Sequence, residues 1–124
     1  MGAFDHLTNQ KTVVVTTFRR DGTGVPTPVH IATDGERAYV RSWSTSGKAK
    51  RLRREPQVLV APSTFRGKVT GPEVKAVARR LAGDEEMKAA RRIDEKYPLL
   101  QGRLVHWAHR IRKYETVHYE LVAV

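Results

Sequence analysis

The sequence predicts a mainly β fold, a six- to seven-stranded antiparallel barrel carrying two or three helices. Two patterns predict it. Short β-branched or alternating runs recur along most of the chain, separated by Asp-Gly, Pro and Gly signals. Two stretches late in the sequence switch to helical spacing before the alternation returns. The 124 residues hold one such unit, so residues 1–124 form a single domain, since domains most often run to about 100–150 residues.

Lys11 to Phe18 is β-branched almost throughout and reads as the first strand. Arg19-Arg20-Asp21-Gly22 follows, and Asp-Gly between extended runs is a hairpin signal because the turn needs positive φ. Val25 to Thr33 is the next run. It contains Pro26 and Pro28, which cannot donate to a ladder, so it should start irregularly or lie at an edge. Asp34-Gly35 repeats the turn chemistry, and Arg37 to Trp43 is a third strand, making the start of the chain an antiparallel meander. Ser44-Thr45-Ser46-Gly47 offers N-caps for a short basic helix over Lys48 to Arg54, which Pro56 stops. Gln57 to Pro62 is a fourth strand, and Arg66-Gly67 to Gly71-Pro72 is a polar turn region. Val74 to Leu81 is ambiguous, with helix-forming residues in an alternating order. Its place between turn signals favours strand. Glu85 to Tyr97 is a helix with acidic residues in its first turn and an apolar stripe of Met87, Ala90, Ile93 and Tyr97. Leu100 to Lys113 is a second, with Leu100, Leu104, Trp107 and Ile111 at helical spacing. Thr116 to Val124 closes the fold as a strand.

Lys and Arg number 23 against 13 Asp and Glu, a net charge of +10. That surplus calls for an anionic partner, and nucleic acid is the first to consider. The absence of cysteine excludes disulfides, cysteine nucleophiles and thiolate-held metals. No run approaches the roughly 20 apolar residues of a spanning helix. Met1 to His6 has no basic start leading into an apolar block, so no secretory signal is expected and the chain is placed in the cytoplasm.

Five of the eight residues from Gly47 to Arg54 are basic. Free N–H groups at a helix start beside Lys48, Lys50 and Arg51 make an anion site, and a phosphate fits it. A solvated basic surface helix would show the same composition, and the hydroxyl-and-glycine lead-in is what favours phosphate.

The order of motifs resembles the split β-barrel superfamily of pyridoxamine phosphate oxidase-like flavoproteins and of oxidoreductases using the deazaflavin coenzyme F420. The matching pieces are Thr17-x-x-Arg20-Asp21-Gly22, then Pro26-Thr27-Pro28-Val29, then Ser46-Gly47-Lys48-x-x-Arg51-Leu52-x-x-x-Pro56-x-Val58. Arg66-Gly67, Gly71, Ala78-Arg79 and the helix ending at Tyr97 follow in the expected order. The resemblance runs from about Phe4 to Val124 and is greatest to the small F420-dependent branch. It implies a split β-barrel, and Val74 to Leu81 as a strand. It also implies a homodimer whose cofactor groove lies at the interface, with residues of the partner chain completing it. By resemblance, Ser46, Lys48, Lys50 and Arg51 hold the cofactor phosphate, and Pro28, Val29 and His30 lie along the tricyclic ring. Relatives often carry an aromatic residue where His30 stands. Arg41 and Ser42 line the same groove. Tyr97 and Trp107 could add to it, although an apolar helix face is more often plain core.

No nucleophile or catalytic acid stands out, as expected where a bound cofactor carries the hydride chemistry. No metal is expected: His106 and His109 share a helical face without a nearby carboxylate, and His118 reads as structural. The leading function is an F420-dependent oxidoreductase acting on an unsaturated or carbonyl-like small molecule. The alternatives are an FMN-dependent enzyme on the same fold, a non-catalytic cofactor carrier, and a basic nucleic-acid-binding module. The last is opposed by an aromatic fraction of 7% with no interleaving of aromatic and basic residues, because single-strand binders need stacking platforms.

Overall fold

The computed structural model describes residues 2–43, 46–97 and 116–124. Seven strands form one antiparallel sheet: β1 (Val13–Phe18), β2 (Gly24–Val29), β3 (Ala32–Asp34), β4 (Arg37–Trp43), β5 (Gln57–Pro62), β6 (Val74–Arg80) and β7 (Thr116–Ala123). Helix α1 spans Gly47–Arg54, α2 spans Gly83–Lys96, and a 3₁₀ turn covers Asp5–Leu7. The ambiguous Val74 segment is a strand. The predicted helix over Leu100 to Lys113, with Trp107, His106 and His109, lies outside the described residues.

The strand order is β2-β1-β5-β6-β7-β4-β3. The expected opening meander is therefore broken. Val25 to Thr33 is two strands, which lie at opposite edges of the sheet although only His30 and Ile31 separate them. Edges so close in sequence require the sheet to roll up, yet no ladder joins β2 to β3, so the barrel is split along that line. The prolines supply the reason. Pro26 and Pro28 oppose Thr16 and Val14, and in an antiparallel ladder a residue without an N–H must occupy a pair that makes no hydrogen bond. Both prolines thus turn toward the open edge, which has no donor to offer β3 at those positions.

Alternation fixes what each strand buries. Val13, Val15, Val58, Val60, Val117 and Leu121 point inward with at most 2% exposure. Phe4 and Leu7, both fully buried, join this core from the 3₁₀ turn, and Leu52 joins it from α1. Asp-Gly works as the sequence implied, with Gly22 at φ 88° and Gly35 at φ 64°.

Helix α2 packs on the outer face of the sheet, and here the expected stripe is corrected. Met87 is 60% exposed, whereas Ala89, Ile93 and Tyr97 are buried. Ile93 and Tyr97 form a small second core with Ala32 and Tyr39. Polar contacts on either side set this rotation. Glu86 reaches Nδ1 of the buried His118 on β7 at 3.0 Å, and Asp94 receives Arg41 of β4 at 3.0 Å. Among the described residues no helix is long and apolar enough to cross a membrane.

Candidate functional site

The start of α1 lies between β4 and β1. Ser46 is its N-cap, with φ −69° and ψ 157°, and its hydroxyl accepts the Ala49 N–H at 3.1 Å. Ser42, inward-facing on β4, shares a 2.8 Å hydrogen bond with the same hydroxyl. Arg51, one turn into the helix, donates from Nε to Thr17 Oγ1 at 2.6 Å. Its guanidinium then lies back over the helix start, where a Cβ on Gly47 would stand 2.9 Å from Nη1. Glycine is needed at Gly47 for that close approach.

Lys48 is the unusual member. It is 7% exposed, its ammonium has no hydrogen bond or ion pair among the described residues, and the first turn of α1 contains no acidic residue. Burial, and secondarily the Arg51 charge, push its pKa down to about 8. Two cations held together at a helix start, where the macrodipole adds partial positive charge, form a strong anion cradle.

A second cluster lies at the split, near the C-terminal end of α2. The Tyr97 hydroxyl sits 2.8 Å from Lys11 O and 3.2 Å from Ile31 O, and it accepts the Ile31 N–H at 3.3 Å. Lys96 Nζ donates to Ile31 O at 2.7 Å. The two-residue crossover between the sheet edges is thus clamped by α2. His30 stacks on the Tyr97 ring, with centroids 4.4 Å apart and planes 17° off parallel. Its pKa is lowered by burial first and then by the Arg41 and Lys96 charges, which favours the neutral imidazole at pH 7. Arg41 uses Nη1 on Asp94, while its buried Nη2 has no hydrogen-bond partner among the described residues.

Six of the nine residues singled out from the sequence fall into two groups. Ser42, Ser46, Lys48 and Arg51 converge on the α1 start, and His30 and Arg41 gather at the split. Arg41 and Ser42 are neighbours on β4 and so face opposite sides of the sheet. The same holds for Pro28 and Val29 on β2: Pro28 packs beside Gly67 on the outer face, and Val29 packs against the core. Lys50 is exposed and stands off the helical face that Lys48 and Arg51 share. Thr17, Asp94 and Lys96 complete the two clusters without having been singled out. Thr17 had one legible signal, a hydroxyl on the inward side of β1 that Val13 and Val15 otherwise make apolar. Among the described residues no group of three or more His, Asp or Glu could hold a metal ion.

A rolled antiparallel sheet, open along one line and carrying a basic helix start beside its fourth strand, defines a split β-barrel. Solved structures share this fold. An F420 reductase aligns over 100% of this chain and 95% of its own at 14% identity, with a TM-score of 0.65. An FAD-binding protein from Mesorhizobium loti aligns over 95% and 84% at 17% identity, with a TM-score of 0.63. A candidate pyridoxamine 5'-phosphate oxidase from Listeria innocua aligns over 94% and 86% at 17% identity, with a TM-score of 0.58. No family model and no curated protein matches the chain.

Proposed function

We propose that the chain is an F420-dependent oxidoreductase that passes a hydride between the reduced deazaflavin and an unsaturated or carbonyl-like organic substrate. It would act as a cytoplasmic homodimer with the cofactor groove at the subunit interface. The observation that carries the reading is Lys48, a largely buried lysine whose ammonium has no partner among the described residues, beside Arg51 at a helix start. A phosphate monoester suits that donor set, since it accepts from both cations and from the N–H groups of the first turn. The likeness of the fold to an F420 reductase and an FAD-binding protein supports a flavin-type cofactor.

Lys48, Arg51 and Ser46 would hold the cofactor phosphate, and Thr17 would fix the Arg51 guanidinium. Ser42 steadies the N-cap hydroxyl. His30, braced on Tyr97, would offer a flat neutral face at the split with one N–H donor and one acceptor. The cofactor supplies the hydride when bound, and this chain's residues supply position and charge.

Titrating the protein with F420 and with FMN, following tryptophan fluorescence, tests the assignment. Saturable F420 binding is expected, and binding of FMN alone would replace the deazaflavin reading by a flavin one. Lys48→Ala with Arg51→Ala should weaken binding while the fold persists, each lost charge-assisted contact costing on the order of 1.5–3 kcal/mol. Unchanged affinity in the double variant overturns the phosphate assignment. Turnover of the reduced cofactor with a panel of quinones and enones separates an enzyme from a carrier, which would bind without oxidising it.

A further inference from the structure

The opposite end of α1 borders a separate open depression of about 340 Å³, flanked by the β1–β2 turn and the start of β5. Arg19 and Arg20 enter it from the turn and Arg54 from the last turn of α1, with Phe18 and Gly22 in its wall. Arg54 is held in place by donating from Nη2 to Phe18 O at 2.7 Å. Glu55 is the one carboxylate in the lining, and its Oε1 is turned onto the Gln57 N–H at 3.1 Å. Asp21, near Arg19, accepts the Thr23 N–H at 2.9 Å and lies outside the lining. The Arg19 and Arg20 side chains make no hydrogen bond or ion pair among the described residues. Three guanidinium groups against one carboxylate leave two positive charges for a ligand to meet. Gly22, with φ 88° and nothing within 4 Å of a Cβ position, keeps that side of the depression clear.

We propose that this depression is a second anion site, distinct from the α1 start, for a compact organic dianion. The volume suits a small metabolite, since ligand pockets run from roughly 300 Å³ upward. Guanidinium groups from two elements favour planar, two-oxygen acceptors, which phosphate monoesters and dicarboxylates both present.

The test is isothermal titration of the full-length Lys48→Ala, Arg51→Ala variant, so that the outcome does not depend on whether a cofactor binds at the α1 start. Glucose 6-phosphate is the phosphate probe and succinate the dicarboxylate probe. Saturable binding of at least one is expected, weakened about tenfold or more when Arg19→Ala and Arg20→Ala are added. Arg19→Lys with Arg20→Lys should restore part of the affinity by returning the charge. The proposal is overturned if neither probe saturates, or if affinity survives loss of both arginines. It is also overturned if a single-stranded oligonucleotide displaces both probes at lower concentration, since the arginines then serve a polymer surface.

Discussion

At the scale of single residues, Lys48 has the most to say about pH. Its folded pKa of about 8 lies below its ordinary 10.5, so above pH 8 the unfolded chain holds more protons than the folded one. Stability should therefore rise as pH increases from about 8 to 10.5, by on the order of 3 kcal/mol over the whole window. Urea unfolding at pH 7.5 and pH 10 should show the gain, and Lys48→Met should abolish it. Ligand binding should respond with the opposite sign, because an anion at the α1 start needs the ammonium charged. Affinity for the phosphate-bearing cofactor should decline as pH climbs through 8. Most of this cradle was legible in the sequence, since an N-cap hydroxyl, a glycine and a basic run state its chemistry openly. The choice between Lys48 and Lys50 was less visible. Lys48 and Arg51, three apart, share a helical face that the 100° step per residue denies to Lys50. Only the packing of that face against β1 shows that it is the buried one.

Two elements do more than their lengths suggest. Helix α2 reaches across to the split and fixes it through the Tyr97 hydroxyl, so Tyr97→Phe should leave the Lys11 carbonyl short of a donor and the Ile31 N–H short of an acceptor, while the Ile31 carbonyl keeps Lys96. A cost of about 1–2 kcal/mol is expected, together with faster amide exchange at Ile31. Helix α1 offers a subtler change. Gly47→Ala should not unfold the protein, because the atom in the way is the free end of a flexible arginine. It should nevertheless dislodge the guanidinium from Thr17 and weaken cofactor binding, which fluorescence titration would record alongside an unchanged melting temperature. The bounds of β4 and β5 followed from alternation and turn residues. The division of Val25 to Thr33 did not, because β-branched residues look alike in one strand or two. What separates β2 from β3 is which edge each joins, a matter of pairing over long distances. The rotation of α2 was hidden for a related reason: the part-buried contacts of Glu86 with His118 and of Asp94 with Arg41 help select the Ala89, Ile93 and Tyr97 face over the one that carries Met87.

For the whole molecule, the split depends on an edge that cannot donate. Replacing Pro26 and Pro28 together by Thr and Val would restore two outward N–H groups on β2. Such an edge should pair with other copies, and light scattering should detect more aggregation than in the parent chain. The proposed assembly is checked by size-exclusion chromatography with mass detection, for which a dimer of the 14.0 kDa chain is expected. The placement of β7 carries a consequence of another kind. It is the last strand in sequence order, yet it lies inside the sheet between β6 and β4, facing Val40 and Ala38 on one side and Ala78 on the other. During synthesis on the ribosome, β1 to β6 must wait as two unjoined pieces, one of four strands and one of two. Cooperative folding can begin only after residues 116–123 have emerged from the exit tunnel, because only β7 joins the two pieces into one sheet.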